Sequence, residues 1–201
     1  MHPRIYAELE RICSRRGAGG AVLEIGAVPS EHSLLCLRCL SAAREKIGIS
    51  LDGPSRYRDF EILRVNSNAM DCFPERHFDT ILCASTLEHD PFFWKTLAEL
   101  RRVAKPGALV VIGVPGYAED PARWRRVIRM PLHLPVIGSL MRRGLAQWLA
   151  STPTLVPHNC PGDYYRFSRQ AVEQVICAAM DEVEIRTLMI PPRIIASGFM
   201  P

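Results

Sequence analysis

The chain has little of what marks a metal protein, a membrane-spanning protein or a dinucleotide binder. It has seven cysteines but a single CxxC, Cys36 and Cys39, and no histidine pair at zinc-finger spacing. No metal site is therefore expected, and the pair sits in an apolar stretch, Leu34 to Leu40, where core packing is its expected use. No apolar run approaches the roughly 20 residues that cross a bilayer as a helix. The opening Met1-His2-Pro3-Arg4 runs into a charged amphipathic segment and not into an apolar signal core. With scattered, odd-numbered cysteines, this gives a reducing, cytoplasmic setting as the expectation. Acidic residues are missing from 122–148, where six arginines lie (Arg123, Arg125, Arg126, Arg129, Arg142 and Arg143). The net charge of +4 over 201 residues is therefore local, and the remainder of the chain is slightly acidic.

What is present is a rhythm. Residues 3–16 have amphipathic helical spacing, stopped by Gly17-Ala18-Gly19-Gly20. Apolar runs at 21–25, 47–51, 61–65, 78–84 and 108–114 predict strands. Helical spacing between them predicts a helix from a Ser30 cap to about Lys46 and another from Pro91 to about Val103. Gly53-Pro54-Ser55 and Lys105-Pro106-Gly107 read as turns. Strands alternating with helices over the first 115 residues predict an α/β fold with a mostly parallel sheet covered on both faces. The rhythm breaks at 117–157, which carries seven prolines and glycines together with Trp124 and Trp148. It resumes with a helix from Ser168 to about Met180 and two closing strands, 183–188 and 193–199. The chain is expected to form a single domain: an N-terminal helix (1–19), a binding core (20–116), an insertion (117–167) and a C-terminal helix with a strand pair (168–201).

The first two strands carry the functional signal. Val22-Leu23-Glu24-Ile25-Gly26 and Ile47-Gly48-Ile49-Ser50-Leu51-Asp52 each end on or beside a carboxylate. An acid at the tip of the second strand of such a unit is placed to accept hydrogen bonds from both hydroxyls of a ribose. A dinucleotide loop needs glycines at the first, third and sixth positions after the strand. Here those positions hold Gly26, Val28 and Glu31. Two glycines are missing and Glu31 would repel a pyrophosphate, which disfavours a nicotinamide-dependent oxidoreductase. S-adenosylmethionine has no phosphate, and its ammonium group suits an acid such as Glu24.

Several segments, in order, resemble landmarks of the class I S-adenosylmethionine-dependent methyltransferases, in particular the small bacterial type-11-like group. They are Glu24-Ile25-Gly26-Ala27, Leu51-Asp52, Asn68-Ala69 with Cys72-Phe73-Pro74, Phe78-Asp79-Thr80-Ile81, Leu87-Glu88-His89, and Leu100 through Gly107. The resemblance is close over 20–116. It implies a three-layer, Rossmann-like, seven-stranded sheet with the last strand antiparallel and an irregular insertion after the fifth strand. It implies S-adenosylmethionine as cofactor, bound by Glu24, Gly26, Ala27, Asp52, Gly53, Asn68, Ala69, Met70 and Ser85. The family usually has an aspartate where Asn68 stands. His89, after the fourth predicted strand, is a candidate general base, with helix capping or packing as the alternative.

The segment His158-Asn159-Cys160-Pro161-Gly162-Asp163-Tyr164-Tyr165-Arg166-Phe167-Ser168 resembles segments of methyltransferases associated with sugar or glycan modification. It adds His158 as a second catalytic candidate and Tyr164, Tyr165 and Arg166 as acceptor contacts, with a helix lead-in as the alternative. The expected reaction is methyl transfer to a polar small molecule, saccharide or lipid-linked acceptor, at oxygen. Two rivals stay open. Val28, Pro29 and Ser30 stand where the family loop is richer in glycine, as in a non-catalytic binding protein on the same fold. The arginine-rich insertion is a solvated structural loop, an acceptor lid or a peripheral contact with an anionic membrane surface. Nucleic acid is not an expected partner, because the basic cluster is interleaved with apolar residues.

Overall fold

The computed structural model describes residues 2–117, 162–189 and 192–201. The chain divides into two compact units, Met1–Gly116 with Pro161–Pro201, and Tyr117–Cys160. Of the second unit only Tyr117 is among the described residues, so the arginine cluster, Trp124, Trp148 and His158 lie outside them.

The first unit is an α/β sandwich. Helix α1 (Pro3–Arg15) has proline in its first turn and the His2 side chain as an acceptor at its N-terminus. Eight strands follow the apolar runs: β1 (Ala21–Ile25), β2 (Glu45–Ser50), β3 (Ser55–Tyr57), β4 (Phe60–Arg64), β5 (Phe78–Ala84), β6 (Ala104–Pro115), β7 (Asp181–Leu188) and β8 (Arg193–Phe199). Helix α2 (Phe93–Val103) joins β5 to β6, and α3 (Arg169–Ala171), capped by Ser168 and continued by a π-turn over Val172–Ile176, precedes β7.

The strands form one sheet in the order β3-β4-β2-β1-β5-β6-β8-β7. Pairing is parallel from β4 through β2, β1 and β5 to β6, while β8 runs antiparallel to both of its neighbours. The expected seven-stranded sheet with its last strand reversed is thus present. The eighth strand is β3, an edge strand antiparallel to β4, which takes in Ser55 of the expected turn and the two residues after it. One face of the sheet is covered by α2 and the α3 segment through Leu97, Leu100, Val103, Val172 and Ile176. The other is covered by Ile5, Leu9 and Ile12 of α1 together with Leu34, Leu35, Leu37 and Leu40.

The segment 30–46 departs from expectation. In place of a helix it forms two single 3₁₀ turns, Leu34–Cys36 and Arg38–Leu40. The reason is long-range. Glu24 accepts the backbone N–H groups of Leu34 (2.9 Å) and Leu35 (3.3 Å), and Glu10 of α1 accepts those of Arg38 (2.7 Å) and Cys39 (2.9 Å). These donors would otherwise bond to carbonyls four residues back. The apolar spacing still decides burial, since Leu34, Leu35, Leu37 and Leu40 are all core. Ser33, not Ser30, caps the first turn. The C-terminal helix is shorter than expected, and β7 begins at Asp181. Lys105-Pro106-Gly107 lies within β6 as a bulge: Phe78 pairs with Ala104, and two residues later Thr80 pairs with Leu109.

Gly48 in β2 has no room for a side chain. A Cβ there would stand 2.5 Å from Ala27 Cβ and 3.0 Å from Ile62 Cγ1, both fixed to backbone in the core. Gly48→Ala should lower unfolding free energy by about 1–3 kcal/mol, and adding Ala27→Gly should recover part of the loss. Denaturant titration checks this; an unchanged midpoint would contradict the packing described.

Candidate functional site

At the carboxyl ends of β1, β2, β4 and β5 the sheet opens into a cavity of about 420 Å³, within the range that takes a nucleoside-sized ligand. Its wall is built from four strand ends. β1 supplies Ile25 and Gly26; β2 supplies Ile49, Ser50, Leu51 and Asp52; Val65 to Asn68 follow β4; Thr86 and His89 to Phe92 follow β5. Strand order puts β1 beside β5, and the chain leaves β1 toward the α1 face of the sheet and β5 toward the α2 face, so a crevice opens between their carboxyl ends.

Gly26 has φ +82°, and a Cβ there would come 2.1 Å from Thr86 Oγ1. Backbone conformation and close approach both demand glycine. Thr86 is held by its hydroxyl, which lies 3.1 Å from Ile25 O and 3.3 Å from Ala84 O. The N–H groups of Gly26 and Ala27 both reach Ile49 O, at 2.9 and 3.0 Å. Val28, Pro29 and Ser30 are not among the residues lining the cavity.

Asp52 is exposed at the tip of β2 and lines the cavity. Glu24, its expected companion, faces elsewhere. It is 5% exposed and accepts from the Ser33 hydroxyl as well as from Leu34 and Leu35. Burial pushes its carboxyl above the ordinary range, against the pull of those three donors. Its role is to hold the loop after β1. It does not line the cavity. Ala27 is buried behind Gly26, and Met70 is fully buried core, so neither is a cavity contact. Met70 fills the sheet interior because its N–H is tied to Glu99 of α2 at 2.7 Å. Gly53, Ala69 and Ser85 also lie off the cavity wall. A side chain on Gly53 would meet Arg64 N at 2.8 Å, and Ser85, at φ +55°, ends β5 with its N–H on Gly113 O.

Asn68 lines the cavity, and its amide donates to Asp90 Oδ2 at 2.9 Å. Asp90, which sequence reasoning passed over, is 8% exposed, and the cavity wall includes it. The available signal was its place between His89 and the proline just before the next helix, where an aspartate commonly accepts backbone N–H groups. Here it accepts Phe92 N–H at 2.8 Å.

His89 lines the cavity, and its Nδ1 lies 3.2 Å from Gly162 O. A carbonyl only accepts, so Nδ1 carries the proton and Nε2 of the neutral ring is left as an acceptor. This contact belongs to a larger strap. Tyr164 and Tyr165 N–H both reach Glu88 O (2.8 and 3.2 Å), and the Tyr165 hydroxyl donates to Pro91 O at 3.0 Å. Phe93 packs edge-on against Tyr165 and Phe167. The segment 162–167 is therefore fixed to the loop that carries His89. Tyr164 is exposed, while Arg166 pairs with Asp163.

Beneath the strap lies Glu88, a fully buried residue whose Oε1 is 3.4 Å from Arg193 Nη1. Its Oε2 has no hydrogen-bond partner among the described residues. Burial raises its pKa above the ordinary 4.5, against the opposing pull of its own backbone N–H, His89, Arg193 and Arg166.

A methyltransferase domain family model matches residues 37–112. No curated protein matches. Among solved structures, the chain is similar to the N-methyltransferase NodS from Bradyrhizobium japonicum in complex with S-adenosyl-L-homocysteine. Identity is 15% over 98% of this chain and 86% of that one, with a TM-score of 0.63. It is similar to a 1,6-didemethyltoxoflavin-N1-methyltransferase from Burkholderia thailandensis, bound to 1,6-didemethyltoxoflavin and S-adenosylhomocysteine, at 13% identity over 97% and 77% (TM-score 0.64). A SAM-dependent methyltransferase from Archaeoglobus fulgidus aligns at 12% identity over 98% and 93% (TM-score 0.62).

Glu88 gives this site a pH signature. An acid with a raised pKa in the fold binds its proton more tightly there than in the unfolded chain, so its contribution is full below the ordinary value and lost as pH rises through the raised one. Glu88→Gln stays neutral throughout. The stability of Glu88→Gln relative to the parent chain should therefore improve as pH rises from the ordinary carboxyl value toward the raised one. Thermal melts across that range check it; a constant difference would contradict the buried carboxyl as described.

Proposed function

We propose that this chain, which shares the fold of the solved methyltransferases above and matches a methyltransferase domain model over 37–112, is a class I methyltransferase that transfers a methyl group from S-adenosylmethionine to a polar acceptor. The acceptor in this reading is a small molecule, saccharide or lipid-linked intermediate, methylated at oxygen. The observation that carries the reading is the cavity itself. It combines a side-chain-free approach at Gly26 with an exposed carboxylate at the tip of β2, an arrangement whose acceptor suits the ribose hydroxyls of an adenosine.

When bound, the cofactor supplies an electrophilic methyl group on a sulfonium. The protein's work is then alignment and proton handling. Asp52 would accept from the ribose hydroxyls. Gly26 would let backbone approach the ligand where any other residue would strike Thr86. His89, its Nδ1 proton committed to Gly162 O, would take the acceptor hydroxyl proton on Nε2. The exposed Tyr164 and the Arg166–Asp163 pair beside it suit a polar acceptor entering from the 162–167 side.

The arginine cluster at 122–148, outside the described residues, is assigned in this reading to an anionic membrane surface or a lipid-linked acceptor, with the chain acting in the cytoplasm. Co-sedimentation with anionic liposomes should be lost in the double substitution Arg125→Ala with Arg126→Ala; retention would count against that assignment.

Transfer of labelled methyl from S-adenosylmethionine into fractionated cell extracts tests the reaction and identifies the acceptor class. Label recovered on nitrogen would replace the oxygen assignment. Asp52→Ala should weaken S-adenosylhomocysteine binding by about 1–3 kcal/mol, the scale of hydrogen bonds to a charged group. Calorimetry measures it, and an unchanged dissociation constant would overturn the ribose assignment.

A further inference from the structure

Away from the cavity, two thiols meet where α1 packs on the second 3₁₀ turn. Cys13 is fully buried in α1, and Cys39 is the middle residue of the Arg38–Leu40 turn. The backbone brings them together. Glu10 accepts the N–H groups of Arg38 (2.7 Å) and Cys39 (2.9 Å). Cys13 follows Glu10 by three positions in the same helix and so shares its face. It therefore stands one turn along from the carboxylate that holds Cys39. The half-buried Cys39 packs against the core cluster that contains Cys13, and the two thiols are hydrogen-bonded to each other.

The pair is asymmetric in a way that suits a reaction. The bond from the Cys13 thiol favours the thiolate of Cys39 and lowers its pKa, against burial and the neighbouring Glu10 carboxylate. The same bond, with burial, raises Cys13. Cys39 is part-exposed and open to a small oxidant, while Cys13 is sealed behind it. A more acidic, accessible thiol backed by a second thiol is the arrangement in which a first oxidation is resolved as a disulfide. Cys36 is engaged elsewhere: its sulfur lies 3.8 Å from Ser30 O, and burial raises its thiol.

We propose that Cys13 and Cys39 form a modification site at which hydrogen peroxide closes an intramolecular disulfide. The Cys39 thiolate attacks one peroxide oxygen. An S–O bond forms, the O–O bond breaks, and the departing hydroxide takes up a proton as water. The Cys13 sulfur then attacks the sulfur of that sulfenic acid. The S–S bond forms, the S–O bond breaks, and the Cys13 proton leaves with the hydroxyl as a second water. Two thiols and one peroxide thus give one disulfide and two waters. In a reducing setting the pair stays as thiols until such an oxidant arrives. The ring closed between 13 and 39 contains β1, Gly26 and both 3₁₀ turns, so the modification ties the segment after β1 covalently to α1. Such a cross-link stabilises the fold by constraining the unfolded chain.

Peptide mapping of the full chain after treatment with hydrogen peroxide tests it, with remaining thiols alkylated before digestion. Trypsin separates the three relevant cysteines, placing Cys13 in peptide 12–15, Cys36 in 17–38 and Cys39 in 39–44. The expected product is 12–15 joined to 39–44, lighter by two hydrogens than the separate peptides and released by dithiothreitol. The oxidised chain should melt several degrees above the reduced one, and Cys39→Ser should lose both the cross-link and the shift. In Cys13→Ser the sulfenic acid on Cys39 has no resolving thiol and should be trapped by dimedone. Should a substitution unfold the chain, mapping of the parent chain decides by itself. Three results would overturn the proposal: Cys39 left as a thiol by a peroxide dose that oxidises the exposed Cys72, peptide 39–44 joined to 17–38 in place of 12–15, or Cys39 carried on to the sulfinic acid with Cys13 still a thiol.

Discussion

The buried carboxylate of Glu24 governs the shape of the site without touching it. A carboxylate in a protein interior is tolerated only when hydrogen bonds replace water. Here the Ser33 hydroxyl and the N–H groups of Leu34 and Leu35 provide them. Gathering these donors forces the chain after β1 into a compact 3₁₀ turn directly above the strand. The turn seats Leu34 and Leu35 in the core on the α1 side of the sheet, and it ties the loop at Ser33, well beyond Gly26. Gly26 and Ala27 are left with both N–H groups on Ile49 O, so the backbone hugs β2 and the space beyond it stays open. Glu10 repeats the device one turn later, catching Arg38 and Cys39 from α1.

The opposite side of the cavity is organised by a second set of buried polar groups. Asp90 and Thr96 join the loop after β4 to the start of α2, while Glu88 O and His89 Nδ1 join the loop after β5 to 162–167. In the proposed reading the ends of β1, β2 and β4 face the cofactor and the 162–167 side faces the acceptor, with the short Leu87–His89 turn between them. Gly26 and Thr86 pack together where the two halves meet, leaving no room for a side chain on Gly26. This gives the proposed chemistry a rigid frame, which in-line displacement requires more than it requires any one reactive side chain.

Much of this was legible from residues alone, because apolar runs bounded by glycine and proline report burial directly. β1, β5 and β8 fall where their runs fall, and Ser168 caps the helix it was expected to cap. Asp52 lies in the cavity wall, as its place just past the carboxyl end of β2 led one to expect. The landmark Phe78-Asp79 has a structural meaning as well, since Asp79 accepts Ala21 N–H and Lys105 Nζ at the end of the sheet remote from the cavity. What was not legible depended on partners distant in sequence. Helical spacing over 30–46 could not reveal that Glu24 and Glu10 would take the helix's own donors. Asn68, a turn residue by type, acquires its meaning only from Asp90, 22 positions away. Met70 and Ala27 look like ligand contacts by position and are core by packing.

The central claim is that an adenosine sits at the carboxyl ends of β1, β2 and β4 with its sugar held by one acidic side chain. A crystal structure of the chain grown with S-adenosylhomocysteine tests it most directly. The account predicts density for the nucleoside in the cavity between Gly26 and Phe92, with both ribose hydroxyls within hydrogen-bonding distance of Asp52. Ligand bound elsewhere, or a ribose in the cavity with Asp52 turned to solvent, would contradict it.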